Sequence, residues 1–195
     1  QPTAELRGEA GEPRKVLFLN PHEDIGNDLI YLDLEECCFG DKILLIIGGM
    51  PPNLRMKNAL RSLRQLYELK GLVTVAEGNS GLTAWTDLTA GDLEKAILAG
   101  LDTDLLPDTV ILMGGALVSG YIKRWLRELP ESTHFINVGY DDAIVDTFGH
   151  LEYIVDCRPE TFLFDLENVI KESTDYVGLM SALRHRPSHP LFAML

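Results

Sequence analysis

The chain has 195 residues, of which 46% are hydrophobic and 24% are charged, a composition typical of globular proteins and not of disordered or fibrous ones. Its formal net charge of −13 argues against a nucleic-acid interface and against docking to an anionic membrane, because both need clustered cations. No apolar run approaches the ~20 residues of a membrane span. The three cysteines form neither a disulfide framework nor a zinc motif, which favours reduced thiols and a cytoplasmic location.

The two ends of the chain differ from its middle. Residues 1–40 are strongly acidic and predict a lead-in or linker with one strand at Lys15–Leu19. Residues 173–195 predict a C-terminal linker, because the hydrophobic period is lost and prolines become frequent. The chain opens at Gln1 instead of a methionine, and we interpret both ends as cut linkers around a central domain at residues 41–172.

Between these ends, apolar runs alternate with amphipathic stretches. Ile43–Ile47 is a continuous apolar run closed by glycine, which is typical of a strand buried on both faces. Further strands are predicted at Leu72–Ala76, Thr109–Met113, His134–Val138 and Leu151–Val155. Helices are predicted to begin after Asn53, at the capping-box pattern Thr89–Asp92, after Ser119 and at Pro159. This alternation predicts an α/β fold, a Rossmann-like doubly wound parallel sheet of five or six strands with helices on both faces.

Two of the predicted strands end in paired glycines, Gly48-Gly49 and Gly114-Gly115. Parallel sheets bind ligands at the carboxyl ends of their strands, where bare backbone would let a phosphate approach a helix N-terminus. Alternatively, glycine simply fits a tight strand-to-helix turn. Neither pair belongs to a G-x-G-x-x-G fingerprint, and Tyr121 stands where the P-loop-like spacing of Gly115 and Gly120 requires lysine. The turn interpretation is therefore favoured over a dinucleotide site, and no flavin is expected.

The remaining polar residues form no recognisable catalytic or metal-binding pattern. The acidic stretch Asp141-Asp142, with Asp146 and His150, matches no metal cage, and solvated turn residues are the favoured interpretation. Cys157 is a formal nucleophile, but buried structural cysteines are commoner. A basic ridge on the first helix is either a solvated face or a docking surface for an anion; it comprises Arg55, Lys57, Arg61 and Arg64. We therefore predict no catalytic residue and no metal site.

The stretch Pro107 to Leu129, PDTVILMGGALVSGYIKRWLREL, resembles the central domain of the 2-succinyl-5-enolpyruvyl-6-hydroxy-3-cyclohexene-1-carboxylate synthases, thiamine-diphosphate-dependent enzymes of menaquinone biosynthesis. The resemblance spans roughly Lys42 to Leu166, and it also rests on the segments ILLIIGGMPPN, VTVAEGNSGL and VDTFGHLEYIVDCRPETFL. GGALVS is its most specific part.

This resemblance implies a three-domain enzyme, with pyrimidine-binding, central and diphosphate-binding domains, that decarboxylates 2-oxoglutarate and adds the succinyl-semialdehyde carbanion to isochorismate. Thiamine diphosphate and Mg²⁺ would be bound by the other two domains, since this chain contains neither the G-D-G nor the N-N of the diphosphate motif. The chain alone is then expected to bind no cofactor and to catalyse no reaction. Its expected partners are the flanking domains and small acidic substrates, within a homodimer or homotetramer.

The resemblance also implies site residues after GGALVS, where the family is expected to carry a Lys-Arg pair that grips the acidic substrate. Gly120 and Tyr121 stand at those positions, after Ser119. Lys123 and Arg124 follow three residues later, on nearly the same helix face, and are candidates to replace the pair.

A regulatory anion site is a further expectation from the family, and we place it at Arg55 and Arg61, beside the Gly48-Gly49 turn. Two alternatives stay open. One is the central domain of another thiamine-diphosphate decarboxylase or acyloin synthase. The other is a stand-alone Rossmann-like module that binds a small anion or a nucleotide.

Overall fold

The structure, a computed structural model, describes residues 17–19, 39–65, 71–139 and 146–169. Seven strands are present in these ranges: β1 (Leu17–Leu19), β2 (Ile43–Ile47), β3 (Leu72–Ala76), β4 (Leu88–Thr89), β5 (Thr109–Met113), β6 (His134–Val138) and β7 (Leu151–Val155). The four α-helices of the same ranges are α1 (Leu54–Gln65), α2 (Ala90–Leu98), α3 (Gly120–Arg127) and α4 (Pro159–Val169). Short 3₁₀ turns lie at Gly78–Ser80 and Thr103–Leu105.

The strands form one sheet in the order β1-β7-β6-β5-β2-β3-β4, and every pairing between neighbours is parallel. The predicted α/β class with a parallel sheet is therefore confirmed. The sheet contains one strand beyond the six that the sequence indicated. This strand is β4, which extends over two residues only and pairs with the end of β3.

Helices cover both faces of the sheet, and alternate side chains of β2 explain why. Ile43, Leu45 and Ile47 point into a core that they share with α1 and α4. Leu44 and Ile46 point to the other side, into a core shared with α2 and α3. A central strand that is buried on both faces needs the continuous apolar run that the sequence shows.

Side-chain caps begin three of the helices at the predicted positions. Asn53 Oδ1 accepts hydrogen bonds from the N–H groups of Arg55 and Met56 at the start of α1. Thr89 forms a reciprocal capping box with the third residue of α2. Ser119 Oγ accepts from the N–H of Ile122 in α3. Such caps satisfy N–H groups that have no partner within the helix.

The strand of the acidic lead-in belongs to the same sheet as the rest of the chain. Leu17–Leu19 pairs in parallel with residues 153–155 of β7 and forms one edge. Most of residues 1–40 and all of 173–195 lie outside the described residues, so the domain boundaries at 40 and 172 stay predictions. No helix in the described part of the chain is long and apolar enough to cross a membrane.

Candidate functional site

The strand order reverses direction between β2 and β5. From β2 the chain proceeds through β3 to β4 on one side, and it then returns to β5 on the other side of β2. The carboxyl ends of β2 and β5 therefore lie next to each other at the switch point, where open parallel sheets bind their ligands. The two glycine pairs singled out in the sequence follow these two strands.

These glycine pairs pack against each other. The N–H of Gly115 donates to the carbonyl of Gly49 at 2.7 Å, and the N–H of Gly48 donates to Met113 at 2.9 Å. A Cβ atom on Gly48 would lie 1.9 Å from the carbonyl oxygen of Gly115. Gly114 has a φ of 80°, in the left-handed region that favours glycine. The close approach of two turns thus accounts for the glycines, as the favoured turn interpretation expects.

Two of the protein's own carboxylates lie at the turn that leads into α3. Glu77, which follows β3 and is buried, accepts hydrogen bonds through Oε1 from the N–H groups of Val118 (2.8 Å) and Ser119 (3.4 Å). Ser119 Oγ donates to Glu94 Oε2 at 2.6 Å. A helix N-terminus attracts anions, and here two carboxylates of the protein supply the negative charge. The N–H groups of Val118 and Ser119 thus already have an acceptor, and a ligand contact by Ser119 or Gly120 stays a prediction.

A cavity of about 440 Å³ opens beside this turn, at the carboxyl ends of β5 and β6. Its floor is one row of side chains from four neighbouring strands, since the strand register aligns Ile46 with Leu112, Leu112 with Asn137 and Asn137 with Ile154. Three members of this row are aliphatic, and Asn137 is the polar exception. The volume lies within the usual range for small-molecule sites.

The wall of the cavity combines α3 with the segment before β7. Lys123 of α3 lines it together with Thr147 and Phe148. Arg127 fixes this segment, because its Nε donates to the carbonyl of Thr147 at 3.3 Å and its guanidinium lies 5.8 Å from the centre of the Phe148 ring. The rim is formed by backbone of Gly114, Gly115 and Ala116. The lining is mainly apolar, and its polar side chains are those of Lys123, Asn137 and Thr147.

The structure separates the candidate Lys-Arg pair. Lys123 is half-buried and lines the cavity, whereas Arg124 and Tyr121 are exposed and do not line it. Neighbouring helix residues point about 100° apart, so one face cannot carry both cations. A substrate contact by either residue stays a prediction.

The basic ridge lies away from this cavity. Arg55 and Arg61 are exposed on α1, which packs with α4 on the opposite face of the sheet from α3. Lys57 is half-buried, and the side chain of Arg64 lies outside the described residues. The location of these side chains does not show whether the ridge binds an anion, so the regulatory anion site stays a prediction.

The acidic stretch before β7 has a local structural role where it is described. Asp146 Oδ1 accepts from the N–H groups of Phe148 and Gly149, which forms a tight turn. The ring of His150 is buried and stacks on Phe135 with their centres 5.2 Å apart. In the described ranges no group of three or more His, Cys, Asp or Glu side chains could hold a metal. Asp141 and Asp142 lie outside those ranges.

Cys157 is buried just after β7, with 2% of its surface exposed. Desolvation by burial raises the pKa of its thiol to about 12, and the negative charge of Asp165 adds to the rise. A nucleophilic cysteine needs a lowered pKa and access to solvent. Cys157 therefore has the environment of a structural cysteine.

Cys157 is expected to resist alkylation in the native protein. With Cys37 and Cys38 replaced by serine, we expect iodoacetamide at pH 8 to label Cys157 at least about a hundredfold more slowly than in the unfolded chain, because little thiolate forms at a raised pKa. Mass spectrometry of timed samples measures the rate. Labelling at similar rates in native and unfolded protein would contradict the structure.

The same raised pKa predicts lower stability at alkaline pH. Below pH 9 the thiol of Cys157 is neutral in both the native and the unfolded protein. Above pH 9 the unfolded chain loses this proton while the native protein keeps it. The free energy of unfolding therefore falls as the pH rises. The test compares the Cys37→Ser, Cys38→Ser protein with the same protein that also carries Cys157→Ala. Between pH 8 and 10, the free energy of unfolding should fall by about 1 kcal/mol less in the protein with Cys157→Ala. Urea titrations at the two pH values measure this difference, and equal losses would contradict it.

The sequence singled out the glycine turns, Ser119 and Lys123 as site candidates, and it did not single out Glu77 or Asn137. Glu77 accepts hydrogen bonds from Val118 and Ser119, which lie 41 and 42 positions later in the chain. A local sequence pattern gives no indication of such a distant contact. Asn137 does carry a signal, since it interrupts the otherwise apolar end of β6.

Comparison with known proteins finds sequence similarity to synthases that share one name. No protein-family model matches the chain. Three curated proteins that are similar in sequence share the name 2-succinyl-5-enolpyruvyl-6-hydroxy-3-cyclohexene-1-carboxylate synthase. The one from Porphyromonas gingivalis is 24% identical over 148 residues, covering 75% of this chain and 24% of that protein. The one from Bacteroides thetaiotaomicron is 28% identical over 148 residues, covering 74% and 25%.

The third, from Phocaeicola vulgatus, is 24% identical over 140 residues, which are 72% of this chain and 25% of that protein. The chain thus spans about a quarter of the length of the curated relatives that it matches. The resemblance that GGALVS and the neighbouring segments indicated is confirmed. The chain is therefore a domain related in sequence to one segment of the 2-succinyl-5-enolpyruvyl-6-hydroxy-3-cyclohexene-1-carboxylate synthases.

Proposed function

We propose that this chain is the central domain of a thiamine-diphosphate-dependent synthase of menaquinone biosynthesis. The complete enzyme would decarboxylate 2-oxoglutarate and add the resulting four-carbon unit to isochorismate. The observation that carries this proposal is the similarity to three proteins with the same synthase name, each matched over about three quarters of the chain and a quarter of its own length. A match that covers most of this chain but only a quarter of each relative is expected when the chain is one domain of a larger enzyme.

The described residues do not fit the diphosphate end of thiamine diphosphate. Such a group needs a metal held by acidic or amide side chains and open backbone N–H groups near a helix start. In the described ranges no acidic cluster could hold the metal, the glycine turns close on each other, and Glu77 already accepts from the N–H groups of Val118 and Ser119 just before α3. In our proposal the cofactor and its Mg²⁺ belong to the flanking domains, so no chemical step is assigned to this domain.

The role of this domain in the proposal is therefore positional. A sheet with cores on both faces is a rigid spacer on which flanking domains can be held. Its own contribution to substrate binding would be limited to the cavity wall, where Lys123 offers one positive charge to an acidic substrate.

Activity of the complete protein tests the proposal. The protein encoded by the whole parent reading frame is purified and incubated with isochorismate, 2-oxoglutarate, thiamine diphosphate and Mg²⁺. We expect isochorismate to be consumed only when both substrates and the cofactor are present, and the 195-residue chain alone to be inactive. Pyruvate in place of 2-oxoglutarate is the control. Decarboxylation of pyruvate but not of 2-oxoglutarate would contradict the synthase and favour another thiamine-diphosphate decarboxylase.

A further inference from the structure

The charged residues of α1 are all positive, although the protein as a whole is acidic. The helix contains Arg55, Lys57, Arg61 and Arg64 and neither aspartate nor glutamate, in a chain with 17 basic and 30 acidic residues. Arg55 and Arg61 are exposed, and Lys57 is half-buried. The carboxylates of the described ranges form no ion pair with these three cations. The basic ridge is therefore a surface that suits an acidic partner.

The handedness of the crossovers indicates which part of the chain lies on the face of this helix. β2 connects to β3 through α1, in one direction along the sheet and on the face of the core shared by α1 and α4. β5 connects to β6 in the opposite direction, through α3 on the other face. Crossovers between parallel strands are right-handed, so the direction of a connection determines its face. The connection from β1 to β2 has the direction of the one from β2 to β3, and we therefore expect it on the face of α1 and α4.

Phe39, near the end of this connection, agrees with that expectation. Phe39 is partly buried and packs against the core shared by α1 and α4. Residues 20–38 lie outside the described ranges and join β1, at one edge of the sheet, to β2, which lies beyond β7, β6 and β5. Neighbouring strands are about 4.8 Å apart, so the connection crosses about 19 Å of sheet. An extended chain of this length reaches about 60 Å, which leaves ample length for contact with α1.

The composition of this connection is complementary to the surface of the helices. Residues 20–38 contain no lysine or arginine and six carboxylates, namely Glu23, Asp24, Asp28, Asp33, Glu35 and Glu36. They also contain the apolar run LIYL at 29–32. Leu54 of α1 and Phe164 of α4 offer apolar contacts, because 72% and 47% of their surfaces are exposed. Both the charge and the apolar side chains of the connection thus have counterparts on this face.

We propose that residues 20–36 dock on the outer surface of α1 in the same chain, with their carboxylates at Arg55, Lys57 and Arg61. The contact would fasten the edge strand β1 to the body of the domain through charge, and salt would weaken it. It would also place the protein's own carboxylates at the basic ridge, so that an anionic ligand of Arg55 and Arg61 would have to displace them. The proposal is independent of the reaction that the complete protein catalyses.

Cleavage by a glutamate-specific protease tests the proposal on the 195-residue chain. The connection contains cleavage sites at Glu23, Glu35 and Glu36, and a docked segment is cut only in the fraction of molecules in which it has opened. Arg55→Gln combined with Arg61→Gln should speed cleavage at these sites at least about threefold, the scale of two exposed ion pairs. Mass spectrometry of timed samples gives the rate at each site.

The matched control is Lys95→Gln combined with Arg124→Gln, which removes two exposed cations from α2 and α3 on the other face. The control should be cut at the rate of the parent. In about 0.5 M sodium chloride the ratio of the two variants' rates should fall towards one, because salt screens exposed ion pairs. Thermal unfolding confirms that each variant is folded, and the single variants replace the α1 double variant if it is not.

Two results would overturn the proposal. One is cleavage of the α1 variant at the same rate as the control and the parent, since the basic ridge would then not hold the segment. The other is protection from cleavage that grows with protein concentration, because the occupant of the ridge would then be the segment of a second copy.

Discussion

Replacing Gly48 with alanine is expected to destabilise the domain by at least ~3 kcal/mol, the upper end of the usual cost of overpacking. The new Cβ would lie 1.9 Å from the carbonyl oxygen of Gly115 and 2.9 Å from its carbonyl carbon. Both are backbone atoms of a turn that is itself hydrogen-bonded to Gly49, so neither strand end can move without breaking the contact between β2 and β5. Urea unfolding followed by circular dichroism measures the loss.

Gly91→Ala is the matched control for this substitution. Gly91 lies in the first turn of α2, and the nearest atom to the added methyl group would be Thr89 Oγ1 at 3.7 Å, an ordinary contact. Alanine is a better helix former than glycine by up to about 1 kcal/mol, so this variant should be as stable as the parent or more so. If Gly48→Ala is as stable as Gly91→Ala, the two strand-end turns do not pack as described.

Replacing Glu77 with alanine is expected to cost about 2–3 kcal/mol, the range for losing hydrogen bonds to a charged group in a buried place. The N–H groups of Val118 and Ser119 would lose their acceptor, and α3 would lose a negative charge at its positive end. Glu77→Gln keeps one oxygen acceptor and should lose about half as much. The free energy of unfolding from denaturant titrations gives both values.

Glu131→Ala is the control for the loss of a glutamate as such. Glu131 is exposed in the turn before β6, and its removal should change the free energy of unfolding by less than about 0.5 kcal/mol. An effect of Glu77→Ala as small as that of Glu131→Ala would show that the carboxylate does not cap α3.

Most of the architecture was predictable because buried parallel strands and helix caps have local signatures. Ile43–Ile47 is apolar throughout because both of its faces are covered, and Thr89 and Ser119 mark helix starts through their own hydrogen bonds. Strand β4 had no such signature, since two residues carry no period. It forms because Leu88 and Thr89 follow a turn anchored by Asp87, whose N–H donates to the carbonyl of Thr74 on β3.

The site was less predictable because its parts come from distant segments. The floor of the cavity exists only through the register that aligns Ile46, Leu112, Asn137 and Ile154 on four strands. The sequence identified the two glycine pairs, but it did not indicate that the pairs pack against each other. Lys123 and Arg124 looked equivalent in the sequence, and only the rotation of α3 distinguishes the residue that lines the cavity.

The nucleotide sequence on both sides of the segment that encodes this chain tests the central claim most directly. We expect the reading frame to continue for a domain-sized length in each direction, with a G-D-G motif and a later N-N motif on the downstream side. That result would make the chain the central part of a thiamine-diphosphate enzyme. A reading frame that opens just before Gln1 and stops after Leu195 would contradict the synthase proposal, and the cavity beside α3 would then be the leading candidate for the function of a small binding protein.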